Sequence, residues 1–96
     1  MKKSNEQGIG DVMKQLFKSY HLDEKMHEVQ IKELWEKIMG KSIKNYTTGI
    51  YLRNGILTIT LDSAPLRQDL QFTKADIIRR VNEELGERVV KDMVIR

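Results

Sequence analysis

The chain has 96 residues, a mass of 11.3 kDa, no cysteine and two histidines. That length suits one domain, and the missing thiols exclude a disulfide framework, a thiolate metal cluster and a cysteine nucleophile. With 40% hydrophobic and 32% charged residues the chain folds around a modest core, and a net charge of +3 permits an anionic partner without demanding one.

Residues 1–8 are polar and read as a flexible N-terminus, leaving 9–96 as a single domain. No apolar segment follows Lys2-Lys3, and no run approaches the ~20 apolar residues of a membrane span. The expected location is the cytoplasm, with no membrane contact.

Ile9, Val12, Met13, Leu16, Phe17 and Tyr20 recur at three- and four-residue steps and predict a first helix, weakened at its start by Gly8 and Gly10. Asp23 is placed to cap a second helix that runs to about Met39. His27, Ile31, Leu34, Trp35 and Ile38 share one face of it, and Leu22, Met26 and Val29 share another. Gly40 suits a left-handed cap at its end. Tyr46 to Arg53 and Ile56 to Leu61 then read as two strands. The Asn54-Gly55 pair between them is the strongest short-range hairpin signal, because a type I′ turn needs positive φ at both positions.

Asp62 or Ser63 caps the next helix, with Pro65 in its first turn, where a missing N–H costs little. The helical pattern reaches Leu85, with a break at Gln71-Phe72-Thr73, where Thr73 offers a fresh cap; Gly86 ends it. Val89 to Ile95 reads as a last strand. The order helix-helix-hairpin-helix(-helix)-strand predicts an α+β domain. A three-stranded sheet carries the helices on one face, burying every apolar stripe. The last strand returns parallel to a hairpin strand through a crossover.

Few residues point to catalysis. His21 and His27 lie six apart and do not share a helical face, so no metal or other cofactor is expected. No GxSxG is present, and Ser19, Ser42 and Ser63 read as loop or cap residues. Glu24, Glu28, Glu83, Glu84 and Glu87 alternate with cations on solvated helix faces. Gly8-Ile9-Gly10 is too short to cradle a phosphate. The chain is read as a binding module and not an enzyme.

The cations bear more directly on function. Residues 1–22 hold four lysines, Lys14 and Lys18 among them, against two acids. Lys41, Lys44 and Arg53 form an acid-free stretch, and Lys74, Arg79 and Arg80 form a second cluster diluted by Asp76 and Glu83. Tyr46 and Tyr51 lie near the first stretch and are placed to stack bases. In the competing reading the tyrosines pack on the sheet and the cations form a soluble face. Trp35, on an apolar stripe, reads as core, or else as an anchor for a protein partner.

Several ordered motifs resemble one known family. Trp35-Glu36-Lys37-Ile38-Met39-Gly40 looks like its Trp-x-x-(Ile/Val)-hydrophobic-Gly helix end, and Gly55-Ile56-Leu57-Thr58-Ile59 like its Gly-x-Leu-x-hydrophobic strand. Ser63 to Leu70 resembles the opening of its next helix. Ile77 to Gly86, with Asn82 and Gly86 in place, is similar to its Ile-hydrophobic-x-x-hydrophobic-Asn-x-x-hydrophobic-Gly block, and Val90 to Arg96 to its closing strand. Together these resemble the DciA-like domain over most of residues 9–96.

The resemblance implies a fold like the type II KH domain and a role in loading the bacterial replicative helicase, through contacts with that helicase and with single-stranded DNA. An RNA-binding KH-like module and a pure protein-interaction domain are the alternatives. Three departures stand out. Leu70-Gln71-Phe72-Thr73 lacks the glycines of the GXXG loop by which KH domains grip nucleic acid. Leu66 stands where many members carry tryptophan. The disordered extension of many members has no counterpart before Arg96, so the 96 residues are expected to be almost all fold.

Overall fold

The computed structural model describes residues 2–19 and 22–96, with side chains for 8–16 and 22–96. Tyr20 and His21 therefore lie outside the described residues, as do the side chains of Phe17 and Lys18.

The apolar face of α2 (Leu22–Met39) is the centre of the core. Ile31, Trp35 and Ile38 are buried there, one helical turn apart or nearly so. They pack on the sheet formed by β1 (Thr47–Arg53), β2 (Ile56–Leu61) and β3 (Asp92–Ile95). The strand order is β1-β2-β3, with β1 antiparallel and β3 parallel to β2. Strand alternation places Ile50 and Leu52, Leu57, Ile59 and Leu61, and Met93 and Ile95 on one buried face. The helices cover that face, as expected of an α+β domain. The parallel return from β2 to β3 passes through α4 (Ala64–Phe72) and α5 (Lys74–Leu85), which add Leu70, Ile77 and Val81 to the core.

Several local expectations hold in detail. Asn54 has φ of 53° and Gly55 of 78°, the two positive values a type I′ turn requires. The Ser63 hydroxyl accepts a hydrogen bond from the Leu66 N–H at 3.3 Å, capping α4. Gly86 adopts the left-handed conformation, φ 78° and ψ 9°, and its N–H donates back to Asn82 and Glu83. The break between α4 and α5 falls at Thr73. Its hydroxyl donates to the Leu70 carbonyl and makes no side-chain cap for α5.

Other expectations are corrected. Gly40 is not a left-handed cap. Its φ of 92° with ψ of 163° lies in a region open almost only to glycine, and it joins α2 directly to a further short helix, α3 (Lys41–Tyr46). The strand predicted from Tyr46 therefore starts at Thr47. A Cβ on Gly40 meets nothing within 4 Å, so Gly40→Ala isolates backbone strain. Its expected cost is about 1–3 kcal/mol, read as a lower urea midpoint with an unchanged m-value. Asp23 sits one residue inside α2, where Oδ1 accepts from the Glu24 N–H.

The largest difference concerns α1 (Lys2–Ser19), which is helical from Lys2, ahead of the apolar stripe that opens at Ile9. The sheet does not bury that stripe. Ile9, Val12, Met13 and Leu16 are exposed, and so are Leu22, Met26 and Val29 on α2. The long axis of the molecule is 58 Å, and the radius of gyration, 16.1 Å, exceeds the ~12–13 Å of a compact chain this long.

Candidate nucleic-acid interface

A groove runs between α2 and the outer edge of β1. One part is lined by Glu24, Lys25, Glu28, Tyr51, Leu52, Arg53 and Asn54. The other is lined by Lys32, Trp35, Lys44, Gly49, Ile50 and Tyr51, with Thr47 and Thr48 at its end. Tyr51 belongs to both parts, and its exposed ring lies over Gly49 on the outer face of β1. The groove exists because β1 is an edge strand. Its hairpin register turns the N–H and C=O groups of residues 50 and 52 away from β2.

Two carboxylates of α2 occupy part of that edge. Glu28 Oε1 accepts from the Leu52 N–H at 2.8 Å and Glu24 Oε2 from the Gly55 N–H at 3.0 Å, which fixes α2 against the hairpin. Lys25 and Arg53 line the same part of the groove as these carboxylates, and Lys32 and Lys44 line the other. Lys32 stands 3.6 Å from the half-buried Glu28, and Lys44 donates to Glu36 at 3.2 Å in an exposed pair that is weak and exchangeable. Tyr51 is exposed and lies across Gly49. Its ring crosses Gly49 so closely that a Cβ there would stand 2.8 Å from it. An exposed phenol ring on a strand whose groove is lined by cations suits a single strand, with its phosphates on the lysines and a base on the ring.

The sequence-predicted residues divide accordingly. Lys44, Arg53 and Tyr51 come together in the groove. Lys41 and Tyr46 lie exposed on α3 beside it, and the Tyr46 carbonyl accepts from the Asp62 N–H. Lys14 is exposed on α1, away from the groove, and the Lys18 side chain lies outside the described residues. Lys74, Arg79 and Arg80 are on α5. Arg80 Nη2 donates to the Ile38 carbonyl and closes the end of α2, which makes it structural. Arg79 donates to Asp76 at 2.7 Å and to Glu83 at 2.9 Å. The Asp76 bond, then the Glu83 bond, raise its pKa further above the usual guanidinium value. A phosphate there must compete with two carboxylates.

Lys25 and Lys32 were not among the predicted residues. They read as one arm of a solvated charge pattern, yet their spacing of seven, with Glu28 between, already set them on one face of α2.

The residues of the family motifs do structural work. Trp35 is fully buried, and its indole N–H donates to Thr47 Oγ1 at 2.9 Å, which donates in turn to the Ile43 carbonyl. Asn82 Oδ1 accepts from the N–H groups of Val89 and Val90, and Nδ2 donates to the Val90 carbonyl. Leu66 is half-buried against the core. His27 pairs with Glu87 at 3.3 Å. Among the described residues no three His, Cys, Asp or Glu side chains cluster to hold a metal, and no helix is long and apolar enough to cross a membrane.

This is an α+β domain with a groove of lysines, an arginine and two glutamates beside a sheet edge. Comparison with known proteins gives its family. The profile described as "Dna[CI] antecedent, DciA" matches residues 8–95, and the chain belongs to that family. Two curated relatives from Mycolicibacterium smegmatis, both UPF0232 proteins, are 25% identical over 87 residues, covering 91% of this chain and 45% of theirs. One is named for its place in the recF-gyrB intergenic region. The chain spans a little under half the length of these relatives.

Proposed function

We propose that this chain is a non-enzymatic accessory factor in helicase loading, which binds the replicative DNA helicase and, along the β1 groove, single-stranded DNA. The observation that carries the reading is membership of the DciA family over residues 8–95, nearly the whole domain. The groove supplies the second half. It joins Lys25, Lys32, Lys44 and Arg53 to Tyr51 without a GXXG loop, so phosphates are held by side-chain cations and a base by stacking. Those contacts track a backbone and read no bases, as suits a factor that meets arbitrary sequence at an opened duplex.

Fluorescence anisotropy with a labelled oligothymidine tests the DNA contact. Four cations in the groove predict a salt slope of about −3, hence roughly fifty-fold weaker binding at 200 mM than at 50 mM salt. Tyr51→Ala removes the stacking ring and costs about 1–3 kcal/mol, or five- to 150-fold in affinity. Arg79→Ala leaves the affinity unchanged. Absence of binding at 50 mM salt, or equal losses in Arg79→Ala and Tyr51→Ala, contradicts the assignment. Tighter binding to oligouridine of the same length turns the reading to RNA.

A further inference from the structure

The exposed stripes on α1 and α2 require a physical account. Seven large apolar side chains, Ile9, Val12, Met13, Leu16, Leu22, Met26 and Val29, are each between 43% and 79% exposed. Scattered exposed apolar residues are ordinary, but stripes of them at helical spacing mark a contact surface. The helix α1 adds a second difficulty. It contains Gly8 and Gly10, each about 1 kcal/mol poorer than alanine in a helix, and isolated helices of fewer than ~12–15 residues are marginal in water even in alanine-rich chains. An 18-residue helix with this composition is not self-supporting; it gains its stability from whatever covers its stripe.

We infer that the cover is a second copy of this chain, with α1 of each copy packed along the exposed stripe of α2 of the other. The lengths are the first reason. Ile9 to Leu16 and Leu22 to Val29 each span seven residue steps, about 10.5 Å of helix, with side chains at i, i+4 and i+7 in both. Antiparallel packing then sets Leu16 beside Leu22, Met13 beside Met26 and Ile9 beside Val29. The second reason is reach. Eighteen helical residues are about 27 Å long, close to half of the 58 Å axis, so α1, although it touches its own α2, extends along the molecule and leaves its stripe open to another copy.

The third reason is area. Seven half-exposed large side chains offer roughly 600 Å² per copy. Two copies bury about 1,200 Å², the lower bound of a specific interface before any polar rim is added. A two-fold axis satisfies both stripes of both molecules at once, because each α1-to-α2 contact is repeated by symmetry, and the four helices make a small bundle. The inference does not depend on the helicase reading.

Light scattering after size exclusion, on the full chain from 5 to 500 µM, tests it. A mass of twice 11.3 kDa at the upper concentrations is expected, falling to 11.3 kDa in Met13→Glu and, separately, in Met26→Glu. Both residues are exposed, so the emission of the single, buried Trp35 should not change and a folding defect is separable. The absence of native cysteine allows a second readout. Oxidation of Met13→Cys chains mixed with Met26→Cys chains should give a mixed disulfide in excess of either homodimer. A mass of 11.3 kDa throughout, a dimer that survives both glutamate variants, or cross-linking no better in the mixture than in each variant alone overturns the proposal. A monomer that becomes larger only with helicase present also overturns it and gives the stripes to that partner.

Discussion

Trp35→Ala should be the most destabilising single substitution in the core. Trp35 is the largest fully buried side chain, and it joins α2, α3 and β1 at one point. Truncation of such a residue costs about 3–5 kcal/mol. Total stability for 96 residues is about 5–14 kcal/mol, so one substitution removes a large share of it. The loss has two components. Most is the cavity left between Ile31, Ile38 and the strands. A smaller part is the donor lost to Thr47 Oγ1; Thr47→Val, which removes that acceptor together with the Thr47 bond to the Ile43 carbonyl, bounds it from above at about 1–2 kcal/mol. Thermal unfolding followed by circular dichroism checks both, with a fall of well over 10 °C expected for Trp35→Ala and a few degrees for Thr47→Val. A shift for Trp35→Ala as small as that for Thr47→Val would place the indole outside the core.

Asn82→Ala should be the second most damaging change, although no apolar packing is lost. One amide side chain satisfies the Val89 and Val90 N–H groups at 3.0 and 2.8 Å and the Val90 carbonyl at 3.0 Å. These bonds turn the chain from the end of α5 into β3, and Val90 is fully buried beside them. Removal leaves backbone groups unpaired next to the core, at about 2–4 kcal/mol in total. Asn82→Asp separates the contributions. A carboxylate still accepts from both N–H groups but sets an oxygen against the Val90 carbonyl, so its loss should be intermediate. Urea unfolding of the two variants gives the order, and equal stability of Asn82→Ala and the parent chain contradicts this role for the side chain.

These two residues also explain what was legible in the sequence. Trp35 and Asn82 stand in motifs whose order marked the family, and each turns out to fix one junction of the fold. Local chemistry was readable where a few neighbouring residues decide the outcome. Asn54-Gly55 specifies its turn by backbone sterics alone, Ser63 caps α4 by its own hydroxyl, and Gly86 ends α5 in a conformation that glycine adopts without strain. The short helix α3 was not readable. Six residues carry too little periodicity, and its start depends on Gly40 at φ 92° and ψ 163°, a pair of angles no local pattern announces.

The candidate site was half legible. Lys44, Arg53 and Tyr51 stood out by charge and ring chemistry, but Arg79 and Arg80 stood out equally. Arg79 pairs with two acids at helical spacing on its own helix, which the sequence already offered, whereas only a tertiary contact reveals that Arg80 closes α2 on a carbonyl. Lys25 and Lys32 carry the opposite lesson. They resemble any solvated helix face until β1 is seen running beside them. The stripe of Ile9, Val12, Met13 and Leu16 was correctly read as helical, while its burial by the sheet was not. Periodicity gives the face of a helix but not what covers it.

The most direct measurement is association between the purified full chain and the replicative DNA helicase of the same organism, by sedimentation velocity at physiological salt. Co-migration of the chain with the helicase is expected, saturating at a fixed ratio and unaffected by Arg79→Ala. Failure of the two to associate at any concentration up to 100 µM, together with failure to cross-link in the cell, would contradict a role in helicase loading.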